Sequence, residues 1–511
     1  MNVYELAALL FYMVVMITVG IWFYWQGRKN VNSEKNYFLG DRHMNGWVSA
    51  LSAGASDMSA WVLMGLPGAI YLHGVGQIWI AVGLLLGTIC AWTFVAPRLR
   101  RYSIAADDSI TVPQFLTNRF KTNRRTILII SSLVFMVTYC IYSASSIYAC
   151  GTLFNTVLKM NPRTAMILAT IVIVSYTLLG GYNAVCWTDF FQGMMMLAAL
   201  MATPILAVLI MNSAGYTSPG AELTANYYSV LPGESAWKNA ADIISGLGWG
   251  LGYFGMPHIL IRYFSVKDAK EMRKSQIIGC TWIFIILAMA CISGLLGRQY
   301  LGDALLKIKD GHTLVFINTV REVFAWFGNF TGFTAVAIFL AGLVLSAILA
   351  AAMSTADSQL LASSSAFASD LYKPLFRPRA SNKEMLWASR IIVALIAIAA
   401  FIIAVRPECK GIMNLVSCAW GAFGAAFSPV ILLAIFWKRF TYQGAVAGII
   451  AGFAVDILWL LFLQEKTGVY EIVPGFIAGL IAAWIVSLLT EKTREDVIAL
   501  FEKVKSKEID I

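Results

Sequence analysis

Apolar residues in this chain fall in long blocks separated by short polar turns, not in the one-sided stripes of soluble helices. Crossing the hydrocarbon core of a bilayer takes about 20 residues of helix, and these blocks reach that length. The pattern predicts an all-α polytopic membrane protein of about thirteen transmembrane helices. They are expected near 4–25, 45–71, 78–97, 126–153, 164–182, 190–212, 240–261, 275–298, 329–360, 386–405, 411–437, 441–463 and 472–490. Residues 1–490 then form a single membrane domain, with loops 213–238 and 299–328 as its long connections. The tail 491–511 alternates charged and apolar residues and reads as a short, solvated amphipathic helix.

Two blocks are interrupted. Residues 52–67 place a carboxylate, three hydroxyls and two glycines inside a spanning segment. A carboxylate in hydrocarbon costs several kcal/mol unless it finds a partner or water, which marks Asp57 as a functional position. Small residues around it predict a broken helix with free backbone carbonyls. Residues 245–257 carry five glycines and a proline, which disfavour a continuous helix. The first break lies in the second helix and the other in the seventh. That spacing fits two inverted five-helix repeats, about 45–212 and 240–437, with 4–25, 441–463 and 472–490 as extra helices. Paired breaks at matching positions point to a secondary-transporter site. The alternative is that the glycines only allow close helix packing.

Composition narrows the class further. With 59% hydrophobic residues, 13% charged residues and a mean hydropathy of +0.72, the 511-residue chain has more apolar surface than a soluble fold requires. The formal charge of +10 resides in turns: Arg28, Lys29, Lys35 and Arg42; Arg98, Arg100 and Arg101; Arg119, Lys121, Arg124 and Arg125; then Arg262–Lys274, Lys373–Lys383, Lys438, Arg439 and the tail. That distribution is positive-inside bias, not a nucleic-acid face. It places the N-terminus outside and the C-terminus and tail in the cytoplasm. No basic stretch precedes the first apolar block, so a cleaved signal peptide is not expected. Cys90, Cys140, Cys150, Cys280, Cys291 and Cys418 lie in apolar blocks without metal or redox spacing, and the four histidines form no ligand cluster.

Longer motifs carry a resemblance. Ala-Leu-Ser-Ala-Gly-Ala-Ser-Asp-Met-Ser at 50–59, Met-Gly-Leu-Pro-Gly-Ala at 64–69, Val-Ala-Pro-Arg-Leu-Arg at 95–100 and Trp-Thr-Asp at 187–189 are joined by several more. Those are Gly-Trp-Gly-Leu-Gly-Tyr-Phe-Gly at 248–255, Leu-Ser-Ala-Ile-Leu-Ala-Ala at 345–351, Met-Ser-Thr at 353–355, Trp-Gly-Ala-Phe-Gly-Ala-Ala-Phe-Ser-Pro at 420–429 and Tyr-Glu-Ile-Val-Pro-Gly-Phe at 470–476. Across nearly its whole length the chain resembles the sodium/solute symporter family, and within it the bacterial proline carriers. The resemblance implies a five-plus-five inverted-repeat core of the leucine-transporter kind, sodium as coupling ion and no enzymatic chemistry.

It also implies particular residues. Sodium would be bound by Ala55 and Met58 of the broken helix with Ala351, Ser354 and Thr355 of the ninth. Positions 351, 354, 355 and 358 share a helical face, although such a face also serves plain interhelical hydrogen bonding. Asp57 would lower the cost of dehydrating a cation, or bond free backbone amides. Asp357 departs from the small or hydroxylated residue usual in the family. With Ser358 and Asp189 it is expected to form a second cation or proton site, or else to be a carboxylate at a wet cytoplasmic exit. The substrate pocket would comprise Ser59, Trp61, Tyr142, Trp249, Tyr253 and Pro257. Two departures adjoin it: Ala60 in place of a glycine and Met256 in place of a glutamine. A lost polar contact changes specificity more than one added methylene.

The expected function is sodium-driven uptake of proline or a closely related small amino acid across the cytoplasmic membrane. The partners are the solute and the bilayer, with no required protein. The alternatives are a sodium- or proton-coupled carrier of another small solute, or a non-transporting sensor on the same fold.

Overall fold

The computed structural model describes residues 2–28, 34–179, 181–213, 220–406, 409 and 411–506. Lys29, position 180, part of the 213–238 loop and the last five residues of the tail lie outside the described residues. Every expected block is built on helix. The first half of the chain comprises α1 (Val3–Arg28), α2 (Gly46–Asp57), α3 (Leu66–His73), α4 (Ile78–Cys90), α5 (Thr126–Leu158), α6 (Pro162–Leu179) and α7 (Tyr182–Met211). The second half comprises α8 (Ala236–Gly248), α9 (Pro257–Ser265), α10 (Ala269–Leu301), α11 (Val315–Thr331), α12 (Thr334–Ser365), α13 (Asn382–Ala404), α14 (Ile412–Phe436), α15 (Tyr442–Phe462), α16 (Ile472–Leu489) and α17 (Glu495–Lys505). Among the described residues, ten helical stretches are long and apolar enough to cross a membrane. The other three expected spans are the interrupted pairs α2–α3 and α8–α9, and α6, whose apolar run is shorter.

No strand occurs among the described residues; a single bridge joins Met44, ahead of α2, to Val266, after α9. The first break is surrounded: α2 packs against α7, α9, α10 and α12. α1 lies outside this group against α7 and α12, while α15 and α16 pack on each other and on α14.

Four expectations need correction. α7 begins at Tyr182, so Asp189 lies two turns inside a helix and not in the gap between the expected spans 164–182 and 190–212. The helix starting at Ile78 continues through a wide turn to Ala105, which makes Arg98, Arg100 and Arg101 helical and not loop residues. The loop 299–328 contains α11, an amphipathic helix whose Val315, Phe316, Val320 and Val323 are buried while Arg321 bonds Glu5 of α1 at 2.6 Å. One charged face kept α11 below the hydropathy of a span. The tail helix α17 is not free in solvent: Val497, Leu500, Phe501 and Val504 are buried against the end of the Ile78–Ala105 helix. The guanidinium groups of Arg98 and Arg119 lie 5.0 and 5.8 Å from the Phe501 ring centre, a cation–π clamp.

The glycines of 245–257 divide between the two roles considered above. Gly246 and Gly250 face Gly83 and Gly87 of α4. A Cβ at Gly83 would fall 2.2 Å from the Gly246 carbonyl oxygen, and one at Gly250 would fall 2.3 Å from that of Gly83. This is a small-residue seam that brings two backbones together. The break itself comes later, at Gly255 and Met256, where the chain turns extended (Met256 ψ 110°) as the residue before a proline must. Because backbone and not a flexible side chain opposes Gly250, G250A is expected to cost about 1–3 kcal/mol through overpacking. A lowered melting temperature of the solubilised protein is the check.

Candidate ion and solute site

At the first break α2 ends at Asp57, and Met58 (φ −78°, ψ 71°) leaves the helix. The Ser59 amide donates to the Asp57 carbonyl at 2.9 Å instead of reaching back to Ala55. That releases the Ala55 carbonyl, which has no water to turn to. It accepts instead from α12: Ser354 Oγ donates at 2.8 Å and Thr355 Oγ1 lies at 3.5 Å. Ser354 Oγ also lies 3.2 Å from the Ala351 carbonyl. The structure thus gathers oxygens of Ala55, Ala351, Ser354 and Thr355 at one point, all fully buried. Met58 stands at the break beside them, its amide bonded to the Gly54 carbonyl at 2.8 Å. Hard-cation chemistry asks for such a set of neutral and carbonyl oxygens.

Asp57 is fully buried. Its Oδ2 accepts from the Tyr253 hydroxyl across the second break, and its Oδ1 has no hydrogen-bond partner. Its carbonyl accepts from Trp61 Nε1 at 3.2 Å and from the Tyr142 hydroxyl at 3.3 Å. Both breaks and α5 are therefore tied through one residue.

One helical turn toward the N-terminus of α2 lies a second polar group. Asp189 Oδ2 accepts from Ser52 Oγ at 2.6 Å and Ser358 Oγ at 3.4 Å, and pairs with Arg262 Nη2 at 3.1 Å. Arg262 further donates to Ser358 Oγ at 2.5 Å, to Ser52 Oγ at 3.1 Å and to the His258 carbonyl at 2.8 Å. Ser358 and Asp189 thus come together, but around a fixed cation. Asp357 is buried on the same helix and makes no hydrogen bond with Asp189. It shares a face with Met353, whose sulfur accepts from Tyr12 of α1 at 3.9 Å. Sequence reading grouped Arg262 with the basic turn that follows; its place five residues after Pro257, inside the helix begun by that proline, was the available signal.

The aromatic residues pack into one closed cluster between the breaks, an aromatic chamber whose walls touch. Trp61 and Trp249 lie 6.0 Å apart, Trp249 stacks on Trp420 at 6.3 Å and on Tyr470 at 5.1 Å, and Tyr253 meets Trp420 edge-on at 5.3 Å. The Trp420 indole donates to the Trp249 carbonyl at 2.7 Å. Tyr142 lies 6.3 Å from the His258 ring, which is held by Tyr139 at 3.1 Å. Ser59 is buried, its Oγ 3.4 Å from the Trp61 amide, a long contact that leaves the hydroxyl available. Pro257 opens α9, and Met256 and Ala60 are buried beside the chamber. Ala60 has ordinary helical angles (φ −55°, ψ −15°), so its methyl is carried without strain. Trp420, Tyr470 and His258 were not among the expected site residues. The first two lie in quoted motifs, but nothing in their spacing reveals that distant helices bring them to Trp249.

Above the chamber a cavity of about 700 Å³ is lined by Gly65, Ala69, Tyr148, Asp310 and Met413 among others. Met413 packs against Gly65, where an added Cβ would fall 2.7 Å from its Cγ. The cavity reaches His73 and Gln77, at the end of the bundle opposite the one bearing Arg42, Arg100 and Lys267.

Comparison with known proteins gives the family and the fold. The sequence model of the Sodium:solute symporter family matches residues 37–452. The osmoregulated proline transporter of Bacillus subtilis is 37% identical, over 98% of this chain and 98% of that protein. The high-affinity proline transporter of the same organism is 40% identical over 95% and 98%. A sodium/proline symporter of Staphylococcus aureus is 38% identical over 94% and 92%. Among solved structures, a Na+-coupled sialic acid symporter in a substrate-bound outward-open state superposes with a TM-score of 0.76 at 21% identity, covering 96% of this chain and 98% of its own. A nucleobase-cation-symport-1 family transporter does so at 0.53 and 14%, covering 92% and 99%. These two likenesses concern fold, and give the chain the inverted-repeat architecture of such carriers. With family sequence and fold in agreement, the chain is a multi-pass membrane protein belonging to the sodium:solute symporter family.

Proposed function

We propose that this protein couples sodium entry to the uptake of proline, or a closely related small amino acid, by alternating access. The observation that carries this reading is the Ala55 carbonyl, freed by the break in α2 and met by the Ser354 and Thr355 hydroxyls of α12. Sodium held by Ala55, Met58, Ala351, Ser354 and Thr355 joins the two helices and orders the unwound backbone. Substrate affinity rises with it, and by linkage the substrate raises sodium affinity by the same factor. Asp57 supplies negative potential beside the ion. Proline fits the neighbouring chamber: Trp61, Trp249 and Tyr253 contact the ring and exclude water, while Ser59, Tyr142 and free amides hold the charged ends. Pro257 and Met256 shape the far wall, and Ala60 adds a methyl near the unwound backbone.

Repeats of about 45–212 and 240–437 move against each other around this point, with 4–25, 441–463 and 472–490 peripheral. The basic turns lie in the cytoplasm, so the cavity above the chamber is the outer vestibule. The N-terminus is then outside and the C-terminus inside the cytoplasmic membrane. Asp189, Ser358 and Asp357 form a second polar station on the inward route. The Arg262–Asp189 pair closes that route until the inner side opens.

Labelled proline uptake into proteoliposomes tests the reading. Accumulation is expected with an inward sodium gradient and not with a matched potassium or proton gradient; accumulation driven equally by protons overturns it. S354A is expected to raise the sodium concentration for half-maximal uptake about tenfold, as loss of one polar contact of about 1.4 kcal/mol implies. S59A is expected to act mainly on proline KM. Wild-type behaviour of both at limiting sodium and proline overturns the site assignment.

The buried pair makes a separate prediction. D189N leaves a buried guanidinium without its counter-charge, at a cost of about 3–5 kcal/mol. The melting temperature should fall, and the double variant D189N/R262Q should recover most of the loss.

A further inference from the structure

Away from the chamber, two carboxylates meet among α14, α15 and α16 with no positive charge opposite among the described residues. Asp456, on α15, is 1% exposed, and Glu471, just ahead of the first turn of α16, is 0% exposed. Both reach into the same gap on α14: a Cβ at Gly421 would fall 3.0 Å from Asp456 Oδ1 and 3.1 Å from Glu471 Oε1. Asp456 Oδ1 and both Glu471 side-chain oxygens lack hydrogen-bond partners. The Gln464 amide approaches Glu471 without closing a bond of good geometry. The titratable groups facing the pair are Cys418 of α14 and Tyr470, with Tyr142 of α5 beyond it; among the described residues no Lys or Arg acts on either carboxylate.

Two carboxylates this close and this dry cannot both be ionised without a counter-charge. A sodium ion would draw more oxygens than the pair and the Gln464 amide offer, and the Tyr470 hydroxyl is already engaged with the Ser417 carbonyl at 2.7 Å. A proton needs no further ligand. We propose that Asp456 and Glu471 form a protonation site, separate from the sodium ligands, that holds a proton at neutral pH.

The site has a route to the chamber. Glu471 adjoins Tyr470, whose ring stacks on Trp249 at 5.1 Å and whose amide is bonded to Ser245 Oγ at 3.0 Å. Losing the proton places two like charges in the Gly421 gap, drives the start of α16 outward and loosens Tyr470 against Trp249. This consequence rests on the Trp249 chamber being the substrate site, whereas the protonation itself does not.

Infrared spectroscopy of the full-length protein in lipid tests the proposal. The wild type at about pH 7 should show a protonated-carboxyl C=O band that shifts in deuterium oxide and bleaches as pH rises. The band should be missing from the double variant D456N/E471Q. If that variant does not fold, D456N and E471Q separately should each lose or shift part of it. Identical carbonyl spectra in wild type and variants overturn the proposal. So does bleaching by sodium chloride at constant pH without proline, which marks a sodium site. For the link to the chamber, proline KM should rise about threefold from about pH 7 to about pH 9 in the wild type and stay level in E471Q. Parallel profiles overturn that link. Failure of sodium-driven uptake at every pH overturns the transport reading and leaves the infrared result to decide the protonation site alone.

Discussion

Hydrocarbon offers a peptide group no water, so a helix that breaks inside a membrane must find new partners for every group it releases. The arrangement around Asp57 follows from that constraint. Stopping α2 there frees the Ala55 carbonyl, and the Ser354 and Thr355 hydroxyls answer it. The Asp57 carbonyl is met by Trp61 and Tyr142, and its carboxylate by Tyr253. Apart from the Trp61 indole these partners are hydroxyls, and a cation or solute can replace some of them without exposing a bare peptide group. The same demand that makes a break costly therefore makes it a binding site.

Much of the architecture was legible because membrane helices advertise themselves by length and apolarity. Both interruptions were legible because Asp57 and the run Gly246–Pro257 violate that pattern. What stayed hidden depends on partners far along the chain. α11 is amphipathic and reads as loop by hydropathy, and α17 reads as a solvated helix until Tyr102 and Arg119 are placed beside Phe501. Neither Trp420 nor Tyr470 carries a local mark of its place beside Trp249. Spacing predicted that Ser354, Thr355 and Ser358 share a face, but not that Arg262 stands between Ser358 and Asp189.

Buried charge is handled in two ways in this molecule. Near the basic end it is compensated: Arg42 bonds Asp108, Ser103 and the carbonyls of Phe264 and Ser109 at 2.8–2.9 Å, fastening the turns around α9. Deeper in the bundle the pair Arg262–Asp189 is matched in charge, with Asp189 Oδ2 taking the guanidinium and the Ser52 and Ser358 hydroxyls. At Asp57 and Glu471, by contrast, buried carboxylate oxygens lack partners and no cation is paired with them among the described residues. Matched pairs fix geometry, while unmatched ones leave room for a mobile ion.

The stacked rings of Trp61, Trp249, Trp420 and Tyr470 have an optical consequence. Indole emission depends on the polarity and quenching groups near the ring, and three indoles here share one dry, tightly packed environment with Asp57 and Tyr253 at its edge. Any rearrangement that admits water or separates Trp249 from Tyr470 changes the colour and yield of that emission. The protein carries its own fluorophore at the point where its two halves meet, and its conformational cycle is visible without a label.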